Sequence, residues 1–427
     1  MAFFASTFDW PSRSIDFVAV EPGASSGAGE IVERGNRYIL KAPGHFSFAT
    51  GQPGIRTLTT TVGGAPALIQ GVVFAADGDL GLRIDEVRVG SGHVGQTYSS
   101  VNAKFEHLGS LCSLRIEDGA ARSPSVPLVL PALGSATEMV ANLPSGSNTI
   151  TITAVVPAVL EEFEEHLVAF QDLLTFAADM PIGRTGLVAV EASGQEVTIL
   201  GRERYAPFGR LGRRPIEHAF RLAGDWTQTV VERWWAAREG LRPVAQILAG
   251  LSYQPGYVEA DVILSAASIE ALATRLAVGD RPRLHDEDAA PIIAALDALP
   301  DMNSDQRQFI ASVKADASRT TLRSKVELLI SGVNSTATTN SRLSVANWLP
   351  RFVETRNAIA HGTNGSRPRQ DIWTDDALLR AVRDANRIVL VLAMLTHLGV
   401  PTAAIERAGE RLGARYGTRH GTTSIFR

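Results

Sequence analysis

Three polar residues near the end of one predicted helix, Arg356, Asn357 and His361, bring a fixed cation, an amide and a titratable imidazole into one short stretch. Residues 345–361 contain no glycine and place apolar residues at helical spacing, so the pattern predicts an amphipathic helix that Gly362 ends. Asn357 and His361 are four residues apart and share a face, which Arg356 borders. Imidazole can move a proton to or from a hydroxyl, and guanidinium can hold phosphate oxygens as charge builds. Phosphodiester transfer without a metal needs these groups.

The spacing between Arg356 and His361 is not evidence on its own, because the Arg-x4-His pattern occurs four times in the chain. Only this copy lies in a helical pattern with no glycine or proline between its two residues. The four pairs are Arg88/His93, Arg213/His218, Arg356/His361 and Arg415/His420.

The sequence leaves two roles open for the motif, one catalytic and one structural. A single histidine does not easily serve as acid and base in one step, so catalysis would need two copies brought together in a homodimer. The alternative is structural: His361 caps the helix end, where the helix dipole favours its charged form, and Arg356 pairs with a neighbouring acid such as Glu354.

Other kinds of site find little support. The single cysteine, Cys112, excludes disulfides and thiolate-rich metal sites within a monomer. No glycine-rich P-loop motif is present. Glu162 and His166 are four residues apart on a predicted helix and could share a metal, but no second pair of ligands lies near them in sequence. The sequence therefore predicts no metal and no cofactor.

Composition predicts a soluble, multidomain protein. The chain has 427 residues, with 45% hydrophobic and 20% charged residues and a net charge of −4. Charge is uneven, since residues 351–427 hold twelve arginines and seven acidic residues, a net of +5. No apolar run approaches the length of a membrane span, and the first residues do not resemble a signal peptide, so we expect a cytoplasmic protein.

The chain divides by pattern into a β-rich part and a helical part, which predicts an α+β multidomain fold. Residues 1–222 carry short apolar or alternating runs separated by glycine and proline turns, typical of a sandwich or barrel-like sheet, with one helix at about 158–179. Residues 223–255 are predicted to be a helical connector, and residues 256–427 an all-α bundle. The polar stretch 331–342 reads as a flexible loop.

The segment Arg356-Asn-Ala-Ile-Ala-His-Gly362 resembles the signature of the HEPN superfamily, R-x4-6-H with a polar residue, often Asn, after the arginine. Its surroundings agree: a long earlier helix contains Ser-Ile-Glu-Ala-Leu at residues 268–272, and an apolar helix follows at residues 378–398. A β-rich first part before such a bundle resembles the ApeA-like proteins of bacterial phage defence, with a weaker likeness in Asp-Trp-Pro at residues 9–11 and in the helix end at residues 173–181.

The resemblance implies a metal-independent endoribonuclease and toxin that leaves 2′,3′-cyclic phosphate ends and forms its site across a homodimer or higher oligomer. By motif position, Arg356 would clamp the phosphate, Asn357 would orient it and His361 would be the acid/base, while Glu270 would pair with the arginine. RNA, with tRNA among the candidates, would be the substrate. The first domain would sense a phage-derived trigger in abortive infection.

Two alternatives remain open. The bundle could be a HEPN module without catalysis, which dimerises or binds RNA. The protein could also be a β-rich ligand-binding protein whose helices only oligomerise.

Overall fold

The computed structural model describes residues 14–20, 26–34, 37–43, 55–76, 79–90, 95–108, 127–131, 138–142, 149–201, 228–253, 257–276, 286–299, 302–317, 321–361, 375–420 and 424–426. The chain forms two compact units, Met1–Trp235 and Ala236–Arg427. Within the described residues, no helix combines the length and apolar character that a membrane span requires.

The first unit is built on a twelve-stranded antiparallel sheet. Its strands are β1 (Ser14–Ala19), β2 (Gly27–Arg34), β3 (Arg37–Lys41), β4 (Ile55–Val62), β5 (Ala65–Ala76), β6 (Asp79–Val89), β7 (Thr97–Phe105), β8 (Pro127–Leu130), β9 (Met139–Asn142), β10 (Thr149–Val159), β11 (Arg184–Glu191) and β12 (Glu196–Gly201). They are ordered β3-β2-β1-β4-β5-β6-β12-β11-β7-β10-β9-β8.

The first six strands close into a barrel because β3 also pairs with β6. Each of the six contributes to one buried apolar cluster, which includes Phe17, Ile31, Leu40, Leu58, Ile69 and Leu82. Strand β6 has two partners along one edge: Gly81–Ile84 pair with β3, and Glu86–Val89 pair with β12. The other six strands therefore continue outward from the second half of β6.

Helix α1 (Leu160–Ala178) follows β10 directly and packs against β7 and β10. Most of its surface is buried, including Phe163, Phe170 and Phe176. Helix α2 (Gln228–Gly240) contributes Trp234, whose indole Nε1 donates to the carbonyl of Ala169 at 3.0 Å. Trp234 of α2 therefore covers part of α1.

The second unit is helical. Its helices are α3 (Val244–Tyr253), α4 (Val258–Leu276), α5 (Asp286–Asp297), α6 (Ser304–Ala317), α7 (Leu322–Ser331), α8 (Ser335–Asn340), α9 (Val345–His361), α10 (Asp376–His397) and α11 (Thr402–Arg415), followed by a 3-10 helix at Gly417–His420. Helix α10 is the centre of the unit: between Ala381 and Leu395 every residue except Arg383 is buried. Helices α4 and α9 both pack against it.

The structure confirms the predicted fold class, with a β-rich, partly barrel-shaped first part followed by helices. Helix α1 and helix α9 lie where the periodicity predicts them. The prediction of a flexible loop at residues 331–342 is wrong, because α8 occupies its centre. The side chain of Asn334 caps that helix by accepting from the backbone N–H of Ala337 at 2.8 Å. The helix-ending Gly362 and residues 9–11 lie outside the described residues.

Candidate functional site

The start of α9 is held by a segment near the end of the chain. The backbone N–H of Ser344 donates to the carbonyl of Ile425 at 2.9 Å, and Leu343 forms a β-bridge with Phe426. The amide of Asn347 donates to the carbonyl of Ser424 at 2.7 Å. Main-chain pairing of this kind fixes where the helix begins, and so sets the position of every residue along it.

A buried chain of hydrogen bonds fixes the middle of α9. The indole Nε1 of Trp348 donates to Asn386 Oδ1 at 2.9 Å, and Asn386 Nδ2 donates to Ser265 Oγ at 3.0 Å. All three side chains are buried, and the ring of Phe352 lies 5.0 Å from that of Trp348. Because these residues belong to α9, α10 and α4, the network sets both the spacing and the rotation of the three helices.

The last two turns of α9 carry the motif, and there Arg356 meets Glu270 of α4. Arg356 Nη2 and Nε donate to Glu270 Oε2 at 2.8 and 3.2 Å, and Arg356 Nη1 lies 3.3 Å from Asn357 Oδ1. The two ionic side chains are 28% and 39% exposed, and Asn357 is exposed. The arrangement is a guanidinium fixed along one edge, beside an amide, at a surface that water and a ligand can reach.

The helical backbone continues to His361, as the periodicity predicts. Its side chain lies outside the described residues. The helix places the Cα of residue 361 one turn beyond Asn357 on the same face. The structure therefore brings Arg356, Asn357 and Glu270 together and gives the backbone position of His361. The catalytic roles assigned to these residues stay predictions.

The alternative role for Arg356 is a purely structural ion pair with a neighbouring acid such as Glu354. Glu354 accepts a hydrogen bond from Arg351 Nη1 at 2.9 Å, one turn earlier on the same helix. Within the described residues, the ion pair of Arg356 is with Glu270, across the bundle. Arg356 is thus anchored to a second helix rather than to its local neighbour.

The remaining Arg-x4-His pairs have other surroundings. Arg88 is buried and pairs with Glu86 on its own strand. Arg415 lies over the ring of the adjacent tyrosine, and His420 Nε2 is 2.8 Å from Asp384 Oδ2 in the interior of the helical unit. The pair at residues 213 and 218, and His93, lie outside the described residues. Among the described residues, context therefore separates the motif from Arg88 and from the pair Arg415/His420.

The considered metal pair at Glu162 and His166 is not supported. His166 is 1% exposed, and its Nδ1 accepts a hydrogen bond from Trp235 Nε1 at 3.1 Å. Burial lowers the pKa of His166 to about 4, so the ring is neutral at physiological pH. In the part of the chain that the structure describes, no group of three His, Cys, Asp or Glu side chains is arranged to hold a metal ion.

Sequence reasoning missed the residues that position the motif helix. Asn386 had a usable signal, since it is a lone amide at the head of the apolar run from Ile388 to Leu395. A polar side chain at the start of a buried stretch has to find a buried partner. The identity of that partner depends on how three helices pack, which no local pattern specifies.

The comparisons with known proteins agree with the motif. Residues 263–404 match the family model described as Apea-like HEPN. Searches of curated proteins and of solved structures found no match. The matched segment contains Glu270, Arg356, Asn357 and His361, together with the helices that position them. Residues 263–404 of this chain are therefore an Apea-like HEPN domain.

Proposed function

We propose that the protein is a metal-independent HEPN endoribonuclease that acts as an abortive-infection effector in defence against phage. The observation that carries the proposal is the partly exposed ion pair between Arg356 and Glu270. It lies beside Asn357, joins the helix that ends at His361 to α4, and falls inside the HEPN match. The guanidinium of Arg356 is fixed across the bundle and remains accessible.

The proposed reaction needs only the RNA and these side chains. One His361 takes the proton of a ribose 2′-hydroxyl, whose oxygen attacks the adjacent phosphorus. The bond from phosphorus to the 5′-oxygen breaks, and a second His361 gives that oxygen a proton. The products are a 2′,3′-cyclic phosphate and a 5′-hydroxyl, with no oxidant or metal involved. The two histidines belong to the two chains of a homodimer.

Arg356 and Asn357 act on the phosphate in this scheme. Glu270 binds the guanidinium through its Nε and Nη2, so a phosphate oxygen would approach the Nη1 edge, which faces Asn357. A guanidinium that is already oriented can stabilise the negative charge of the transition state without reorganising. The amide of Asn357 would hold a second oxygen in place.

The first unit would restrain the nuclease in the cytoplasm until a phage component is recognised. Its closed six-stranded barrel is a scaffold whose connecting loops could bind a ligand. Activation by such a trigger would account for a toxic activity that uninfected cells tolerate.

The test is RNA cleavage in EDTA, with analysis of product ends, by the wild type and by Arg356→Ala and His361→Ala. Each variant has a matched control elsewhere in the helical unit. Arg351→Ala removes an arginine from the same helix, and His397→Ala removes the histidine that ends α10. We expect cleavage to fall by at least about 100-fold in the two motif variants, the size typical of losing one general acid–base or oxyanion contact, and to persist in the controls.

The toxicity of the same variants to a growing host is the second measurement. Expression with the trigger should be toxic for the wild type and the controls, and harmless for the motif variants. Equal cleavage by all five proteins would end the assignment. RNA binding without cleavage under any condition would favour the non-catalytic HEPN module instead.

A further inference from the structure

Asp384 of α10 and His420 form a buried pair of polar side chains that the proposed reaction does not use. His420 Nε2 lies 2.8 Å from Asp384 Oδ2, and the two side chains are 11% and 3% exposed. The other carboxylate oxygen, Oδ1, accepts from Arg383 Nε and Nη2 at 2.8 and 2.7 Å. A buried carboxylate is costly unless hydrogen bonds or opposite charges compensate it. Asp384 therefore stabilises the position of His420 in the segment that follows α11.

The same segment reaches from His420 to the start of α9. We call it the clasp, defined as residues 417–420 and 424–426. The ring of His420 stacks on that of Phe426, with centroids 5.5 Å apart and planes inclined by 22°. Phe426 is 3% exposed and forms the β-bridge with Leu343, just before α9. Contacts therefore connect α10, through the clasp, to the beginning of the motif helix.

The clasp also holds a strained turn at the entry to α9. Arg342 has a φ of 61°, in the left-handed region that residues with a side chain rarely adopt. Such a conformation persists only where the surrounding structure holds it. Here Leu343 pairs with Phe426, and the N–H of Ser344 donates to the carbonyl of Ile425. Because the strained residue comes directly before these contacts, the clasp fixes the direction in which the chain enters the helix.

Helix α9 carries that direction to the motif. At 1.5 Å per residue, the distance along the helix from Ser344 to Arg356 is about 18 Å. Over that length a tilt of about 3° moves the motif by about 1 Å, and a misplacement of about 1 Å can lower the rate of a reaction about 100-fold. The buried network of Trp348 gives the helix one fixed point, and the clasp gives it the second point that a direction requires.

We propose that the clasp positions the motif helix for catalysis, and that His420 and Asp384 are positioning residues of the site that do not contact the RNA. This inference rests on the proposed function, because it adds to the residues that set the geometry of the same site. Loosening the clasp leaves Arg356 and Asn357 at the surface, where they still bind phosphate, but displaces them from the position that the transition state requires. Turnover should therefore fall more than RNA binding.

The first measurement is RNA cleavage in EDTA by the full-length chain. His420→Ala removes the partner of Asp384 Oδ2, and Asn347→Ala removes the hydrogen bond from α9 to the carbonyl of Ser424. Each variant should lower kcat at least about 10-fold while KM changes little. Because Asn347 is exposed, its variant keeps the test valid even where circular dichroism shows that His420→Ala does not fold.

Two further variants show whether position, rather than the loss of any side chain, causes the effect. Glutamine places a side-chain N–H close to where Nε2 of histidine lies, so His420→Gln can donate to Asp384 and should recover most of the lost kcat. His397→Ala, at the end of α10, is the matched histidine control and should leave kcat and KM unchanged.

Hydrogen exchange is the second measurement, and it does not depend on cleavage. Amides of residues 344–357 should exchange at least about 10-fold faster in His420→Ala and Asn347→Ala than in the wild type, because opening of the clasp is local. Amides of α4 should keep their wild-type rates.

Three results would overturn the proposal: wild-type kcat in both His420→Ala and Asn347→Ala, no recovery with glutamine, or uniformly faster exchange throughout the helical unit. A wild type that cleaves no RNA counts against the proposed function alone. Hydrogen exchange then decides whether the clasp holds α9.

Discussion

Arg356 and Glu270 lie 86 positions apart in the sequence and meet at the surface of the helical unit. Ion pairs that water reaches contribute only about 0–1 kcal/mol to stability. The ion pair therefore contributes little to the free energy of folding. Its main effect would be to hold the guanidinium in one orientation.

That explanation predicts a split between activity and stability for Glu270. Glu270→Gln keeps an oxygen that can accept from Arg356 but loses the charge, and should lower kcat a few-fold. Glu270→Ala removes the anchor and should lower kcat more, while each variant stays within about 1 kcal/mol of wild-type stability. RNA cleavage and thermal unfolding measure the two quantities. Glu327→Gln, in the surface pair with Arg323, should change neither. A loss of stability as large as the loss of activity would contradict the prediction.

His166 makes the first unit sensitive to acid. Its pKa in the folded protein is about 4, against 6.5 in the unfolded chain, so between these values the unfolded state binds more protons. Stability should therefore fall as pH drops from 6.5 towards 4. The shift corresponds to about 3 kcal/mol at most, at about 1.36 kcal/mol per pKa unit.

His166→Gln tests this, because glutamine can accept the hydrogen bond of Trp235 but does not titrate. Urea unfolding of the first unit, followed between pH 4 and pH 7, should be less dependent on pH in this variant than in the wild type. His397→Gln in the helical unit serves as the control. An unchanged pH dependence in His166→Gln would show that other groups cause it.

At the scale of elements, the buried network of Trp348, Asn386 and Ser265 couples the motif helix to the bundle. Asn386→Ala leaves the indole N–H of Trp348 buried without its acceptor, which costs about 1–3 kcal/mol. Urea unfolding should show this loss. The control Asn347→Ala removes an exposed hydrogen bond from the same helix and should cost less than about 1 kcal/mol. Equal losses in the two variants would mean that the network does not hold α9.

Helices α8 and α11 approach so closely that only glycine fits between them. A Cβ on Gly409 would lie 2.2 Å from the carbonyl oxygen of Ala337. Gly409→Ala should force the helices apart and cost about 1–3 kcal/mol.

Gly250→Ala, in α3, is the matched control, since a Cβ there meets nothing within 4 Å. It should stabilise the protein by about 0.5–1 kcal/mol, because alanine favours helix more than glycine does. Thermal unfolding distinguishes the opposite signs. Stabilisation by both alanines would show that α8 can move away from α11.

For the whole molecule, charge distribution matters more than net charge. The chain carries −4 overall but +5 in residues 351–427, so RNA would be attracted to this region although the whole chain is acidic. Affinity for single-stranded RNA should fall with salt, and the slope of log affinity against log salt should decrease by about 0.7 when one phosphate contact is removed. Fluorescence anisotropy of Arg356→Ala should show that decrease, and Arg351→Ala should not. Identical slopes would remove Arg356 from the RNA contacts.

The sequence predicts correctly those elements whose structure depends on residues close to one another in the chain. The 3.6-residue period predicts α1 and α9, and the motif could be read because its three residues lie within six positions of one helix. Helix α8 was missed because Ser-Thr-Ala-Thr-Thr-Asn has poor intrinsic helix propensity. Packing against α11 and the Asn334 cap overcome that preference. Short strands such as β9, with four residues, offer too little alternation to recognise.

The shared edge of β6 determines which fragments of the first unit could exist by themselves. A piece ending at Ala76, after β5, would lack the strand that closes the barrel. A piece ending at Val89 would close it, but would leave Glu86–Val89 as an open edge without β12. Open edges of this kind recruit other chains and promote aggregation. Dissection or circular permutation of the first unit should therefore keep β6 and β12 in one piece, with new termini placed in the turns elsewhere.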